Sequence, residues 1–331
     1  MKDTKLILIE GVTGSGKSTL AQFITRALTN QGTPCKWWYE EEKKHPLYIF
    51  HDQQSLQNVI DALSSGRYQQ IIEAVLEQWQ AFSQEAQSSE KVIIIDGCLF
   101  GYLTWSLFPL DIPDAEIQAY LARVERLIQP LQPCVIYLYQ KDLTQALERI
   151  CERRGDTTRS HLINQAIQSP YGKRRGLQDF AGIVTYWQDF RILVEAALSR
   201  FTVAKLAIEN SAQDWPVYEQ AVLDFLDLSI KEKTALEPSL LEPFVGTYTF
   251  LEEGERRDCL VMLENASLIV DNMPQVWPRT RLIPHAHNVF LVESLPFQVA
   301  FEEDAQGTII GMRASGPALL FGNVDCFFAR T

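Results

Sequence analysis

At 331 residues and 46% apolar content, the chain is too long for one ordinary α/β core, so two domains are expected. A formal net charge of −12 works against gripping a nucleic-acid backbone, which takes a basic stripe to neutralise phosphates. No signal sequence and no membrane-length apolar stretch is legible, and six scattered cysteines without a C-x-x-C pair fit reduced thiols, so the expectation is a cytoplasmic protein without membrane contact, disulfide frame or zinc site.

The first strong signal is the apolar run Leu6-Ile7-Leu8-Ile9, which reads as a buried strand. It enters Gly11-Val12-Thr13-Gly14-Ser15-Gly16-Lys17-Ser18, followed by Thr19. This is the G-x-x-x-x-G-K-[ST] phosphate-binding loop. Its glycines let successive amides turn inward around a phosphate. Lys17 supplies charge for the β- and γ-phosphates, Ser18 a hydroxyl for Mg²⁺, and the following helix a favourable dipole. Leu20, Phe23, Ile24, Ala27 and Leu28 give that helix its apolar face. A chance match in a glycine-bearing turn would not bring strand before and helix after.

A second strand is predicted at 35–39, closed by Glu40-Glu41-Glu42, then helices at 53–63 and 67–87. Val92-Ile93-Ile94-Ile95-Asp96 is a continuous apolar strand ending in an acid, as fits a parallel sheet covered on both faces. A helix at 113–130, a strand at 135–139 and a helix from an Asp142 N-cap to Arg154 follow, with Gln145 completing a capping-box pattern. Residues 155–176 read as a polar, basic loop or lid. A helix at 177–199, a strand at 201–208 and a helix at 215–228 complete a doubly wound, five-stranded parallel sheet. In such sheets ligands bind at the carboxyl ends of the strands, where the phosphate loop, Glu40 and Asp96 all fall.

The pattern changes at 231–243, a charged, proline-punctuated linker between an expected domain at 1–230 and another at 244–331. Short β-rich runs follow at 246–251, 257–263, 267–270, 288–292, 297–302, 307–313 and 318–328, separated by turn signals. They predict a small antiparallel barrel or sandwich. Its aromatics, Tyr248, Phe250, Phe290, Phe297, Phe301, Phe321, Phe327 and Phe328, are expected mostly in the core. His285 and His287 form an H-x-H pair without an evident third ligand, which favours a surface role.

Phosphoryl transfer needs positioned phosphates, a metal, countercharge and something to orient the acceptor. Asp96 is the candidate to hold Mg²⁺ beside Ser18; the competing reading is a strand-terminal acid capping a turn into Gly97. Glu40 is the candidate to orient or deprotonate an acceptor hydroxyl, against a reading as a solvated acidic turn. Arg149, Arg153, Arg154 and Arg159 cluster on the helix end and beyond it. Four arginines exceed what the helix dipole asks for, and guanidinium groups on a closing loop offset developing γ-phosphate charge. Arg149 and Arg159 are placed on the nucleotide, with Arg153 and Arg154 in the transition-state clamp. Lys173, Arg174 and Arg175 are further lid candidates or simply exposed. The expectation is an ATP- and Mg²⁺-dependent phosphotransferase acting on an unidentified small-molecule acceptor. The alternative is a nucleotide-dependent switch with the β-domain as its effector. A nucleic-acid end kinase is disfavoured by the acidic balance.

Residues 1–228 resemble thymidylate kinase and its deoxynucleoside kinase relatives. The likeness lies in Ile9-Glu10-Gly11 with the phosphate loop, Tyr39-Glu40 at the second strand end, Asp96 at the third, and the stretch Gln132–Leu138, Ala146–Ile150 and Arg153-Arg154-Gly155. It implies a nucleoside or nucleotide acceptor, Glu40 as base, and a homodimer, a common state in that family. Two features depart from the pattern: Asp96 is followed by Gly97-Cys98 where the family has an arginine, and Trp37-Trp38 and His45-Pro46 match no family hallmark. The segment from Val245-Gly246-Thr247-Tyr248 through Leu282-Ile283-Pro284, Asn288-Val289-Phe290, Val299-Ala300-Phe301 and Gly307-Thr308-Ile309 resembles the lipocalin-like β-domain appended to some β-lactamase-related peptidases. The peptidase chemistry has no counterpart here.

Overall fold

The structure is a computed structural model that describes residues 3–230, 237–252, 254–320 and 322–331, without the side chains of Arg154, Asp156 and Glu252. Its chain order begins β1 (Leu6–Gly11), α1 (Lys17–Asn30), β2 (Cys35–Trp38), α2 (Gln53–Ser64), α3 (Tyr68–Ser88) and β3 (Val92–Asp96). It continues through α4 (Leu103–Leu107), α5 (Asp114–Ile128), β4 (Cys134–Tyr139), α6 (Leu143–Arg154), α7 (Asp156–Gln168) and α8 (Pro170–Arg175). The long α9 (Asp179–Arg200), β5 (Ala204–Glu209) and α10 (Trp215–Leu226) end this part. The five strands form one parallel sheet in the order β2-β3-β1-β4-β5. Leu6, Leu8 and Ile9 of β1 and Ile94 and Ile95 of β3 are wholly buried. Covered on both faces, such strands need no alternation, which is why they read as unbroken apolar runs. Ile9 pairs with Asp96, so the phosphate loop and the β3 acid leave the sheet side by side.

Asp142 caps α6 as expected, its carboxylate accepting the Gln145 amide at 3.0 Å. The segment expected as a loop or lid, 155–176, is instead two helices, α7 and α8. Leu162, Ile163, Ala166 and Ile167 form its apolar stripe, and Ala166 is buried. This stripe is short and diluted by polar residues, and so is weak in a sequence window. The basic run is engaged locally: Arg174 Nε lies 2.5 Å from Asp111 Oδ2 and Arg175 Nη1 3.0 Å from Asp111 Oδ1.

The remaining strands are β6 (Gly246–Glu252), β7 (Glu255–Glu264), β8 (Ser267–Asp271), β9 (Thr280–Ala286), β10 (Val289–Val292), β11 (Gln298–Glu303), β12 (Ile309–Ser315) and β13 (Cys326–Arg330). They close into an eight-stranded antiparallel barrel, β10-β11-β12-β13-β6-β7-β8-β9. The sequence misses β9 because it carries Pro284, which has no amide to donate, and ends in exposed residues; its register with β10 slips between Val289 and Phe290, opposite that proline. The last strand begins at Cys326, not 318. Tyr248, Phe290, Phe297 and Phe328 are buried, whereas Phe327 is 39% exposed on the outer face beneath Arg313. Phe321 lies outside the described residues. His285 and His287 are both exposed, His287 in the turn after β9.

The chain divides into two compact units, residues 1–40 with 44–230 and residues 41–43 with 231–331. Of the expected linker, 231–236 lie outside the described residues, while Pro238–Leu241 is a helical turn. Among the described residues no helix is long and apolar enough to cross a membrane.

Candidate functional site

The turn from β1 into α1 is held open by its own backbone. The Ser15 amide donates to the Val12 carbonyl at 3.1 Å, and Asn210 Nδ2 clamps the Ser15 carbonyl from the end of β5. Gly16 has φ 93°, and a side chain there would collide with the Trp215 ring that packs against it from α10. Only glycine fits that position. Ser15 Oγ, Asn210 Oδ1 and Arg149 Nη2 are buried polar atoms without a partner among the described residues. Buried polar groups are nearly always satisfied, so three orphans around one glycine-rich turn suit a polar ligand. The cradle fits phosphate.

Beside it, Ser18 Oγ donates to Asp96 Oδ2 at 2.6 Å. Trp37 Nε1 donates to the other oxygen, Oδ1, at 3.0 Å. Asp96 is fully buried, and its acidity is weakened first by burial and then by the Glu40 charge; the Ser18 and Trp37 bonds and Lys17 oppose that shift. Two hard oxygens, one hydroxyl and one carboxylate, are the donor set Mg²⁺ uses together with water and substrate phosphates. The residues fit that ion.

Glu40 leaves the end of β2 and returns over Gly97, the residue after Asp96. Gly97 has φ 71°; a methyl group there would sit 2.7 Å from Glu40 Oε2 and 3.0 Å from Lys17 Cε. The acid, the lysine and the β3 turn therefore converge on one point. Glu40 is tethered there through its carbonyl, which accepts the Tyr48 hydroxyl at 2.5 Å. Tyr48 stacks on His45 at 4.4 Å, and His45 Nε2 lies 3.6 Å from Cys98 Sγ. The His45-Pro46 segment without a family counterpart thus packs the wall behind Glu40. Burial, and then Lys36, lower the His45 pKa to about 3, so the ring is neutral. A second acid, Glu10, is also fully buried and accepts the Leu99 and Phe100 amides at 2.7 and 3.1 Å. Burial pushes its pKa up to about 7 against those bonds and Lys17, and it pins the chain after β3 to the root of the phosphate loop.

Above this cluster opens a cavity of about 210 Å³ lined by Gly11, Val12, Thr13, Lys17 and Glu40 at one end. The other walls come from Phe100, Gly101, Trp105, Tyr137, Trp187, Phe190, Arg191 and Val194. Arg149, Arg153 and Arg159 do not line it. Arg149 Nη1 donates to the Ser211 carbonyl at 3.1 Å, Arg153 is exposed on α6, and Arg159 lies over the Phe180 ring at 4.5 Å. The Arg154 side chain lies outside the described structure; Thr19 sits partly buried in the first turn of α1. Among the described residues the arginine that lines the cavity is Arg191, on α9, which sequence reasoning missed. Its signal was present: Trp187, Phe190, Arg191 and Val194 share one helical face, and an arginine inside an apolar stripe asks for a reason.

No family model and no curated protein matches this chain. Function has to be read from these side chains.

Proposed function

We propose that the protein is an ATP- and Mg²⁺-dependent kinase that transfers the γ-phosphoryl group to a small molecule bound in the aromatic-walled cavity. One observation carries this: Lys17 of a phosphate loop and the strand-end acid Glu40 meet over Gly97 and both line an aromatic-walled cavity. A nucleotide switch needs the loop, but not a lined chamber beside the terminal phosphate.

In this reading the loop amides and Lys17 grip the β- and γ-phosphates. Ser18 and Asp96 would hold Mg²⁺, which supplies charge neutralisation between those phosphates. Glu40 accepts the proton of the acceptor hydroxyl as its oxygen attacks the γ-phosphorus; the bond from γ-phosphorus to the bridging oxygen breaks, and ADP leaves with that electron pair. Arg191, held by the Gln140 carbonyl and by Glu195, lines the acceptor cavity. Trp105, Trp187 and Phe190 wall off the acceptor and exclude water.

The test is transfer from γ-labelled ATP to pooled small molecules with wild-type protein and Lys17→Ala. The variant is expected to keep its fold by circular dichroism and lose transfer by at least about a hundredfold, on the scale of removing one main phosphate contact. Undiminished transfer by the variant would remove the loop from the mechanism, and hydrolysis that no acceptor accelerates would favour the switch.

A further inference from the structure

We infer that the barrel unit is a positioning device for Glu40: the connection between β12 and β13 clasps the main chain of residues 41–43, so that phosphoryl transfer depends on the barrel. The inference rests on the kinase reading above for what Glu40 does. The division of the chain is the first reason. Residues 1–40 and 44–230 form one compact unit, but 41–43 belong to the other, with 231–331. Glu40 is therefore joined by a single peptide bond to a segment that the barrel unit holds. The grip is a short antiparallel ladder. Glu42 pairs with Leu319, the Lys43 amide donates to the Ala318 carbonyl at 2.7 Å, and the Leu320 amide donates to the Glu41 carbonyl at 2.9 Å. Glu42 and Leu319 are both buried, which shields the ladder from competing water. On the near side, the Glu40 carbonyl accepts the Tyr48 hydroxyl. Beyond the ladder, Lys44 turns the chain back with a φ of 63°, a conformation that a lysine keeps only where its surroundings impose it. Held on both sides, the Glu40 main chain has little freedom to carry its carboxylate away from Lys17.

The build of the barrel is the second reason. Tyr248, Phe290, Phe297 and Phe328 are almost wholly buried among its strands. Eight strands enclose a space that side chains can fill, and a filled barrel is a rigid support. Hairpin connections usually run about two to five residues, as 265–266 and 287–288 do here. The connection 316–325 is the longest between consecutive barrel strands, and its residues 318–320 are the ones that pair with 41–43. A long loop on a rigid support thus engages the segment beside the acid.

The experiment uses the full chain with Lys43→Pro and Leu320→Pro, each of which deletes one ladder donor. The control is Ala305→Pro, in the exposed β11–β12 turn closed by the Gly307 amide on the Asp304 carbonyl, at the position where proline is favoured. Hydrogen exchange of the Lys43 amide is expected to be slow in the wild type and the control, and at least about tenfold faster in Leu320→Pro. The kcat for transfer from γ-labelled ATP to the acceptor found among the pooled small molecules should fall at least about tenfold in both ladder variants, with KM for ATP within about twofold. In a Glu40→Gln background the same prolines should change kcat by less than about twofold, because the group they displace is already disabled. A merely structural loss would multiply through both backgrounds. Should the prolines disrupt folding, Leu319→Ser, which trims the buried side chain opposite Glu42 and keeps every amide, is read in the same way. Wild-type kcat in folded ladder variants overturns the inference, as does an equal fall in both backgrounds or a wild-type Lys43 amide that exchanges like an exposed one. If the wild type labels no pool member while the Lys43 amide stays protected, the kinase reading fails, and the role given to the ladder fails with it although the ladder itself is present.

Discussion

Trp37 and Asp96 are joined by a hydrogen bond that the local sequence does not advertise. The indole N–H donates at 3.0 Å to a carboxylate with no solvent exposure. A hydrogen bond to a charged, buried group contributes about 1.5–3 kcal/mol. Trp37→Phe keeps an aromatic ring but removes the donor, leaving Asp96 Oδ1 unsatisfied. For a unit of this size, where 1 kcal/mol corresponds to about 2–4 °C, a loss of about 2 kcal/mol lowers the melting temperature by about 4–8 °C. Phenylalanine also leaves a small void, which would cost stability with no hydrogen bond involved. A double-mutant cycle with Asp96→Ala separates the two: unfolding of wild type, each single variant and the double variant is followed in urea at pH 7.5. The expected coupling energy is about 1.5–3 kcal/mol, with Mg²⁺-supported ATP binding weakened in Trp37→Phe because one oxygen of Asp96 has lost its anchor. A coupling below about 0.5 kcal/mol, the usual additivity error, would show that the indole does not restrain the acid.

Two further outcomes follow from the same site. Gly97→Ala places a methyl group 2.7 Å from Glu40 Oε2 and 3.0 Å from Lys17 Cε at a φ of 71°. It should cost about 1–2 kcal/mol in urea unfolding and lower the transfer rate by at least about tenfold, since a small displacement of positioned groups is enough; wild-type turnover would show that Glu40 and Lys17 do not act together there. For His45 the folded pKa of about 3 lies below the ordinary 6.5. Its contribution is therefore present above pH 6.5 and lost as pH falls toward 3. Between pH 6.5 and 4.5 wild-type stability should fall by roughly 2.3 kcal/mol more than that of His45→Phe, the slope rising from half of 1.36 kcal/mol per pH unit at pH 6.5 to nearly all of it below. Glu10, raised to about 7, acts in the opposite sense, favouring the fold below pH 4.5 and losing that advantage as pH rises through 7. It is shared by both proteins and cancels in the difference. Parallel stability curves for the two would mean that His45 protonates within the folded protein.

The two-part fold was legible because its signals are short-range. Unbroken apolar runs mark the parallel strands, and short runs punctuated by Glu264-Asn265 or Asp271-Asn272 mark the barrel. Where local signal was diluted, the reading failed: α7 went unseen among polar residues, and β9 was hidden by Pro284. The lid arginines illustrate a further limit. Composition placed Arg149, Arg153, Arg154 and Arg159 near one another, but the arginine lining the cavity is Arg191, which packing of α9 brings there.

The chain's own order of residues determined the phosphate loop, since cradle, charge and hydroxyl lie within eight consecutive positions. It also marked Glu40 and Asp96 as strand-end acids. Their convergence over Gly97, the clasp of Trp37 on Asp96 across 59 residues, and the chamber walled by Trp105 and Trp187 were decided by tertiary structure alone. These contacts depend on how β2, β3, α4 and α9 pack around β1, and no stretch of sequence short enough to carry a local pattern contains both partners.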